Sequence, residues 1–311
     1  MKLQELLQNP EYKQKFVLEK FIQLVLGYDR EAMRLHLEQE LSPTEREKII
    51  TYYNQYAIDK KPMEYILGHV DFFWVSFFVD ENTLIPRPET EYMITAVSEH
   101  ITTPLWRGED PQSGSGGSSA DENSSSNNNI LMDIWTGCGV LGISVLLQNP
   151  NFFKYVFFSD ISTEALQVAI KNYNTHIQSE NHDAKFIQSD LIAFIESYPD
   201  IVNQANITLV ANLPYIPEET FDTNSPDNVQ KREPKMAFVG GNDGLIYYRQ
   251  MFEQLQNLLK SKIIIWNQLT MFLEMMTRQV EILKAEFGQR IAFEEVKTFH
   301  FNIRIVKAWI K

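Results

Sequence analysis

The chain is poor in the residues from which several kinds of protein are built. Its 311 residues include a single cysteine, Cys138, so no disulfide can form within the chain and a reducing compartment is expected. Its six histidines show no metal-ligand spacing. No uninterrupted apolar run reaches the roughly 18 residues of a membrane-spanning helix. The sequence therefore predicts a cytoplasmic protein that has no metal site and does not enter a membrane.

Basic residues are also in short supply. The 28 Lys and Arg side chains face 41 Asp and Glu side chains, which gives a formal net charge of -13. This net negative charge argues against a protein that binds nucleic acid mainly through an overall positive charge. The acidic excess is uneven, because residues 1–68 carry 10 basic and 11 acidic side chains and are close to neutral. We expect a monomer whose partner is not nucleic acid.

The chain divides into segments of different texture. Residues 1–67 repeat apolar side chains at helical spacing, for example Phe16, Phe21, Leu24 and Val25, and predict a small helical module. Within it, Ser42 is a candidate N-cap, since a proline and acidic residues follow it. Residues 68–87 begin with the aromatic and β-branched stretch "GHVDFFWVSFFVD", which predicts a β-hairpin linker.

Strands and helices alternate in the remaining segment, residues 88–311. A Ser/Gly/Asn-rich insert at 107–129 interrupts it and is expected to be disordered. Seven strands are predicted, and they lie within "ILMDI", "KYVFFSD", "AKFIQSD", "ITLVANLPY", "KIIIWNQLTMFLE", "IAFEEVKT" and "FNIRIVKAWI". Repeated strand–helix units imply an α/β fold with a largely parallel sheet covered on both faces.

In such sheets, ligands bind beyond the carboxyl ends of the strands. The turn "DIWTGCGVLG" after the first strand has glycines that let a ligand approach the backbone. Asp160 ends the second strand, where an acid can accept both hydroxyls of a ribose; the alternative is an N-cap for the next helix. Asp190 follows the third strand and could accept from an adenine amino group. Together these positions suit an adenosine that carries a short chain.

The fourth strand ends in an unusual way, with Asn212, Leu213, Pro214 and Tyr215 directly after the apolar run "ITLVA". Asparagine at a strand end is often only a turn former. A carboxamide, a stiff backbone and an aromatic ring at the edge of a sheet can also hold a planar substrate group.

These stretches resemble a known family. The sheet half looks like a class I S-adenosylmethionine-dependent methyltransferase, and "NLPY" is similar to the Asn-Pro-Pro-Tyr signature of amino-methyltransferases, with Leu213 in place of the first proline. The stretches "LIPRPETE" (84–91) and "EPKMAFVGGNDGLIYYRQ" (233–250) resemble protein-(glutamine-N5) methyltransferases that modify peptide chain release factors. The resemblance covers nearly the whole chain except the 107–129 insert.

The resemblance implies a seven-stranded Rossmann-like methyltransferase sheet in residues 88–311 and a substrate-recognition role for residues 1–67. The implied reaction transfers a methyl group from S-adenosylmethionine to a glutamine side-chain nitrogen of a release factor. The implied catalytic residues are Asn212, Leu213, Pro214 and Tyr215, and the same four, with Arg87 and Glu89, are implied to bind the substrate. The implied cofactor-binding residues are Asp133, Trp135, Thr136, Gly137, Cys138, Gly139, Asp160, Asp190, Leu191 and Asn212.

Two tryptophans depart from the family pattern. Trp135 stands at the first glycine of the cofactor loop, Trp74 stands where the family usually has glycine, and Trp266 is a possible third case. Glycine is scarce, with 13 in 311 residues, about 4% against a typical 7% or so. One hypothesis is that these tryptophans mark a codon read as glycine in the source organism. An indole at 135 is expected to crowd the methionine part of the cofactor.

Three alternatives stay open at this point. One is glutamine methylation of a ribosomal protein. Another is adenine-N6 methylation of nucleic acid, because adenine also has a conjugated exocyclic amine. The third is a binding protein without catalysis, if Trp135 blocks the cofactor site. Arg87 and Glu89 could also be a structural ion pair only.

Overall fold

The computed structural model describes residues 1–102, 128–178, 181–203, 205–226, 229, 232–261, 269–296 and 303–311. The predicted insert at 107–129 lies outside these residues except for Asn128 and Asn129, and Asn129 already begins a strand. Trp266 and the first part of "KIIIWNQLTMFLE" also lie outside them.

The N-terminal residues form helices around a core of their own. The core consists of buried apolar side chains from residues 3–53, among them Leu6, Phe21 and Ile49. The predicted N-cap is confirmed, because Ser42 Oγ accepts from Glu45 N at 3.2 Å and Glu45 Oε2 accepts from Ser42 N at 2.8 Å. The helices span Leu3–Gln8, Lys15–Leu26, Arg30–Leu35, Pro43–Ala57 and Met63–Leu67.

The second helix forms where the spacing predicted a helix, and it buries part of the apolar set that was used. Phe21 is buried, whereas Phe16 is 62% exposed and Leu24 is 38% exposed. Val17 and Leu18 are buried beside Phe21 and complete the apolar stripe that faces the core.

A two-stranded hairpin follows, as the sequence predicted. Strand β1 (His69–Phe72) pairs antiparallel with β2 (Val75–Phe78). Phe72 faces Val75, so Phe73 and Trp74 alone form the loop. Both have positive φ, 46° and 67°, as the central residues of a type I′ turn require.

The described residues beyond the hairpin contain a seven-stranded sheet, so the predicted fold class is confirmed. Its order is β5-β4-β3-β6-β7-β9-β8, and β9 runs antiparallel to both neighbours while the strands from β5 to β7 are parallel. The chain leaves β3 toward β4 and β5 and returns on the other side to β6. The reversal places a ligand-binding crevice at the carboxyl ends of β3 and β6. The strands span Asn129–Ile134 (β3), Tyr155–Asp160 (β4), Asp183–Gln188 (β5), Asn206–Ala211 (β6), Leu269–Met276 (β7), Ile291–Val296 (β8) and Ile303–Ile310 (β9).

Helices cover both faces of the sheet because successive strand residues are apolar on both sides. In β3, Met132 packs into one core cluster and Leu131 into the other. Helices Ile246–Lys260 and Thr277–Phe287 lie in the first cluster, and Glu91–Thr102 and Val140–Gln148 lie in the second. The structure also describes the helices Thr163–His176, Pro199–Val202 and Glu218–Asn224, and 3₁₀ turns at Pro88–Thr90, Ala193–Ser197 and Lys235–Ala237.

One helix prediction was wrong. The apolar content of "LIAFIESY" after the third predicted strand predicts a helix, but this stretch forms the 3₁₀ turn Ala193–Ser197. Phe194 and Ile195 are buried, so the apolar pair anchors this short connection, and Pro199 begins the next short helix. Within the described part of the chain, no helix is long and apolar enough to cross a membrane.

Candidate functional site

The turn after β3 is held by a buried carboxylate. Asp133 is 1% exposed, and its Oδ2 accepts from Thr136 Oγ1 at 2.7 Å and from Gly142 N at 2.8 Å. Its Oδ1 is buried and accepts no hydrogen bond from the residues that the structure describes. Burial raises the pKa of Asp133 to about 6. Asp133 therefore holds the turn in place through Thr136 and Gly142. Its side chain lines neither of the two cavities described below.

The turn itself has a left-handed backbone at alternate residues. Trp135, Gly137 and Gly139 have φ values of 62°, 55° and 83°. Gly139 is also the N-cap of the helix Val140–Gln148. A Cβ at Gly139 would lie 2.9 Å from Cδ1 at the flexible end of the Ile143 side chain, so glycine suits this position chiefly because of its left-handed conformation.

Asp160 stands beside this turn at the end of β4. Its Oδ2 accepts from Gly137 N at 2.9 Å and its Oδ1 accepts from Ser162 N at 3.0 Å. The N-cap of the next helix is Ser162, whose Oγ accepts from Ala165 N. The N-cap alternative for Asp160 was therefore wrong. Burial raises the pKa of Asp160.

A cavity of about 240 Å³, the cofactor-side cavity, opens above the β3 turn. The β3 turn and the end of β4 contribute one wall. The segment before the 3₁₀ turn Pro88–Thr90, Thr90 itself and the segment at 234–237 contribute another. Its lining includes the predicted residues Arg87, Trp135, Thr136, Gly137, Cys138, Asp160 and Asn212.

Four of the predicted cofactor residues have side chains outside this lining. They are Asp133 and Gly139, which shape the turn, and Asp190 and Leu191, which follow β5. Leu191 is 1% exposed, with φ of 53°, and its carbonyl oxygen accepts from Ser159 Oγ at 3.0 Å. The structure thus brings most of the predicted cofactor residues together around the cofactor-side cavity, whereas Asp190 and Leu191 are not part of its lining.

A second cavity of about 250 Å³, the substrate-side cavity, adjoins the first. The two cavities share Leu84, Arg87, Asn212 and Ala237. The predicted residues Glu89, Leu213 and Tyr215 line the second cavity with Arg87 and Asn212. Pro214 lines neither; its carbonyl oxygen would lie 2.3 Å from a Cβ at Gly240.

Asn212 is oriented by a residue that the sequence had not singled out. Its Nδ2 donates to Thr90 Oγ1 at 3.2 Å, and Thr90 is 2% exposed. Asn212 Oδ1 accepts no hydrogen bond from the described part of the chain. Because the amide nitrogen is engaged by Thr90, the carboxamide can present its oxygen to a bound group.

Tyr215 is fixed at both of its polar ends. Its hydroxyl donates to Glu274 Oε1 at 2.9 Å, and its carbonyl oxygen accepts from Gln279 Nε2 at 2.7 Å. Burial, followed by the neighbouring Glu274, raises the pKa of Tyr215 well above its ordinary value. The phenol therefore acts as a neutral hydrogen-bond donor.

Arg87 pairs with Glu233 and not with Glu89. Arg87 Nη2 lies 2.8 Å from Glu233 Oε1, and Ile85 N donates to Glu233 Oε2 at 3.2 Å. The Glu233 side chain is 1% exposed and that of Arg87 is 34% exposed. The pair fastens the segment at 84–91 to the segment at 233–250, and the Arg87 side chain still lines both cavities.

No family model matches the sequence. Curated relatives do match it, among them the following three. Release factor glutamine methyltransferase of Bacillus anthracis is 34% identical, over 78% of this chain and 74% of the relative. The enzyme of the same name from Bacillus cereus is 33% identical over 78% and 74%, and that from Chlorobaculum tepidum is 32% identical over 76% and 71%.

The chain belongs to the release factor glutamine methyltransferase family. The family expected from "IPRPETE" and "NLPYIP" is thereby confirmed. Four buried residues of this methyltransferase site were missed by sequence reasoning: Thr90, Glu233, Glu274 and Gln279. Each contacts a predicted residue from 59 to 146 positions away. Thr90 and Glu233 lie inside the family stretches at 84–91 and 233–250, and this placement was the sequence signal that could have identified them as site residues.

The residues of the cofactor-side cavity fit S-adenosylmethionine, which the methyltransferase resemblance implies. Each Asp160 oxygen accepts one hydrogen bond from the residues that the structure describes, so each can accept another from a ribose hydroxyl. The glycines at 137 and 139 keep the turn open. Among the described residues, no three His, Cys, Asp or Glu side chains form a group that could hold a metal ion.

Proposed function

We propose that this protein transfers a methyl group from S-adenosylmethionine to the side-chain nitrogen of a glutamine in a peptide chain release factor. The observation that carries the proposal is the position of Asn212, which lines both cavities. A methyl donor bound in the cofactor-side cavity and an amide bound in the substrate-side cavity would meet beside the Asn212 side chain. The family membership supports the choice of substrate.

The chemical difficulty lies in the acceptor. The lone pair of an amide nitrogen is delocalised into the carbonyl, so the nitrogen is a poor nucleophile. Asn212 Oδ1 and the Leu213 carbonyl oxygen each accept one amide N–H, which aims the lone pair and favours its pyramidal form. Thr90 holds Asn212 in the required orientation. Pro214 stiffens the segment, and the Tyr215 ring packs against the amide plane.

The cofactor-side residues have separate roles. S-adenosylmethionine supplies a methyl group activated by the adjacent sulfonium charge. Asp160 accepts from the ribose hydroxyls, and the backbone from Trp135 to Gly139 admits the chain that carries the sulfur. Asp133 fixes this turn through Thr136 and Gly142. Holding both reactants in line is worth several powers of ten in rate without any covalent participation by the protein.

The remaining parts position the protein substrate. We assign residues 1–67 to docking of the release factor, 68–87 to a linking hairpin and 88–311 to catalysis. The separate core of the N-terminal helices supports this division. We propose that the enzyme acts as a monomer.

The experiment is methyl transfer to purified release factor, with mass spectrometry to locate the modified residue. The wild-type enzyme should methylate one glutamine. Asn212→Ala should lose at least tenfold in rate, or about 1.4 kcal/mol, with nearly unchanged affinity for S-adenosylmethionine. Asn174→Ala, the same change on the exposed surface of helix Thr163–His176, is the control and should match the wild type.

Other substrates provide the outcomes that would refute the proposal. Ribosomal protein and DNA should be assayed in parallel with the release factor. Methylation of either one in preference to the release factor would assign the enzyme to a different substrate. Full activity of Asn212→Ala would remove the proposed role of the carboxamide.

A further inference from the structure

Glu274 is a buried carboxylate that the proposed function leaves without a role. It lies near the end of β7, is 1% exposed, and lines the substrate-side cavity together with Asn212 and Tyr215. It does not line the cofactor-side cavity. A buried carboxyl group is costly unless it is paired, so its retention beside the acceptor position calls for a chemical reason.

One oxygen of Glu274 is engaged and the other is not. Oε1 accepts from the Tyr215 hydroxyl at 2.9 Å. Oε2 is buried and accepts no hydrogen bond from the described residues. Burial raises the pKa of the carboxyl group, and the side chains of Thr90, Tyr215 and Asn212 act in the opposite direction. Their dipoles therefore stabilise the carboxylate without satisfying hydrogen-bond geometry at Oε2.

The reaction itself moves positive charge toward this side of Asn212. As the N–CH₃ bond forms and the S–CH₃ bond breaks, the sulfonium becomes a neutral thioether and the acceptor nitrogen becomes positive. That nitrogen then carries the methyl group and two protons, and it must lose one proton to give the neutral methylated amide. Asn212 Oδ1 and the Leu213 carbonyl oxygen are amide oxygens and are far weaker bases than a carboxylate.

We propose that Glu274 is a catalytic residue whose free Oε2 stabilises the positive charge developing on the glutamine nitrogen and accepts the proton that this nitrogen releases. The proton converts the Glu274 carboxylate to the neutral acid, and the product leaves as an uncharged amide. The acid returns its proton to solvent after product release. A carboxylate fixed in a dry site before the reaction favours the transition state, since the charge approaches it only as the methyl group moves.

Other ionisable groups lie near Glu274, and their effect on the pH dependence has to be distinguished from that of Glu274. Glu89 faces it from the 3₁₀ turn Pro88–Thr90, Tyr215 from the segment after β6, and Tyr248 from the helix Ile246–Lys260. On β9, uncharged Ile305 is paired with it. Glu89 is half-buried and is the one other carboxylate in this group, so it serves as the matched comparison.

The inference rests on the proposed function, and the test is Glu274→Gln in the full-length enzyme. Glutamine keeps the shape and can still accept from Tyr215 through its oxygen. General bases contribute about 100-fold or more, so kcat on release factor should fall by about 100-fold. Affinity for S-adenosylmethionine should change less than about twofold, and urea unfolding should show a folded protein. Glu294→Gln, at a 60% exposed carboxylate on β8, should behave as the wild type.

The pH profile separates chemistry from structure. Wild-type kcat should fall as the pH drops through the pKa of Glu274, and this acid limb should be absent in Glu274→Gln and present in Glu89→Gln. If Glu274→Gln does not fold, the pH profile of Glu89→Gln decides the question. An acid limb that is still present in Glu89→Gln supports the proposed role of Glu274. An acid limb that is absent in Glu89→Gln overturns that role. Wild-type activity retained in folded Glu274→Gln would also overturn it. An inactive wild type would instead contradict the proposed substrate.

Discussion

Trp74 and Trp135 both hold backbone conformations that glycine adopts more readily. Their φ values are 67° and 62°, and a residue with a Cβ pays roughly 1–2 kcal/mol for the left-handed region. Both positions were the ones at which the family pattern has glycine. The surroundings differ, because Trp74 is 98% exposed whereas Trp135 packs against Tyr247 with ring centroids 4.7 Å apart.

Trp74→Gly should stabilise the protein. The exposed indole contributes no packing, and the type I′ turn favours glycine at this position. After the greater chain entropy of glycine in the unfolded state is subtracted, the gain should be about 0.5–1 kcal/mol. Urea unfolding of both proteins measures it. A loss of stability would show that Trp74 makes a contact that its exposure conceals.

Trp135→Gly should tighten binding of S-adenosylmethionine by at least tenfold, or about 1.4 kcal/mol. The indole lines the cofactor-side cavity and removing it frees space there. Stability should rise less than in Trp74→Gly, since the contact with Tyr247 is lost. Titration calorimetry measures the affinity, with Trp74→Gly as the control that should not change it. Equal or tighter binding by the wild type would mean that the indole is harmless.

Asp133 gives a prediction for the pH dependence of stability. Its folded pKa of about 6 exceeds the ordinary 3.8, so folding favours the protonated form. Its contribution is fully present below pH 3.8 and is lost as the pH rises through 6. Relative to the wild type, Asp133→Asn should therefore gain about 2 kcal/mol in free energy of unfolding between pH 4 and pH 7. Urea unfolding at several pH values, without ligand, tests this; a constant difference between the two proteins would refute it.

At the residue scale, the sequence predicted the positions that recur in short family stretches. Asn212 and Asp160 line the cofactor-side cavity because each directly follows or ends a parallel strand. Glu274 and Gln279 were missed because their importance depends on the approach of β7 to the segment after β6, which local spacing does not reveal. Asp190 was placed at a strand end correctly, yet its side chain is exposed.

At the scale of elements, the segment from Asn212 to Tyr215 depends on the N-terminus of helix Thr277–Phe287. Gln279 Nε2 donates to the carbonyl oxygens of Tyr215 and Asp243, and its Oε1 accepts from Met276 N at 2.8 Å. One buried side chain, 3% exposed, thus joins three backbone segments. The usual sequence signal of a helix start was absent because the N-cap is Met276 and not a serine or threonine.

Gln279→Ala should destabilise the protein by about 2–4 kcal/mol, because it deprives two partly buried carbonyl oxygens of their donor and removes a helix cap. The methyl-transfer rate should fall, since Tyr215 loses its main-chain anchor, while affinity for S-adenosylmethionine should be nearly unchanged. Glu281→Ala on the same helix removes only an exposed ion pair and should cost less than about 1 kcal/mol. An unchanged methyl-transfer rate in folded Gln279→Ala would show that the hydrogen bond from Gln279 to Tyr215 does not contribute to catalysis.

Strand prediction succeeded for a physical reason. Strands β3, β4 and β6 are buried on both faces, so each is a nearly unbroken apolar run. Short connections were harder. Ala193–Ser197 has the apolar content of a helix, but its length and the following proline restrict it to a 3₁₀ turn. In helix Lys15–Leu26 the apolar spacing predicted the helix but did not fix its buried face, because two overlapping apolar stripes fit the same spacing.

At the scale of the whole molecule, the N-terminal core is separate from the two cores of the sheet. Arg232 donates to the Asp59 carbonyl oxygen, and Lys61 lies 2.7 Å from Glu81. Tyr65, however, packs into a core cluster of the sheet and donates to the Thr83 carbonyl oxygen. A truncation that tests the docking role must therefore retain Tyr65.

Deletion of residues 1–60 should spare binding of S-adenosylmethionine, because no residue before Glu81 lines the cofactor-side cavity. Methylation of intact release factor should fall at least tenfold, while methylation of a short glutamine-containing peptide should continue. Calorimetry and radiolabelled methyl transfer measure the two effects. Equal rates on intact release factor with and without residues 1–60 would refute a docking role.

The lone thiol supplies a built-in reporter. Cys138 is 2% exposed, and burial raises its pKa to about 12, so a thiol reagent cannot modify it while the turn after β3 is closed. Its modification rate therefore measures how often this turn opens, without any engineered label. Because Cys138 lines the cofactor-side cavity, slower modification in the presence of a bound nucleoside would report that this cavity is occupied.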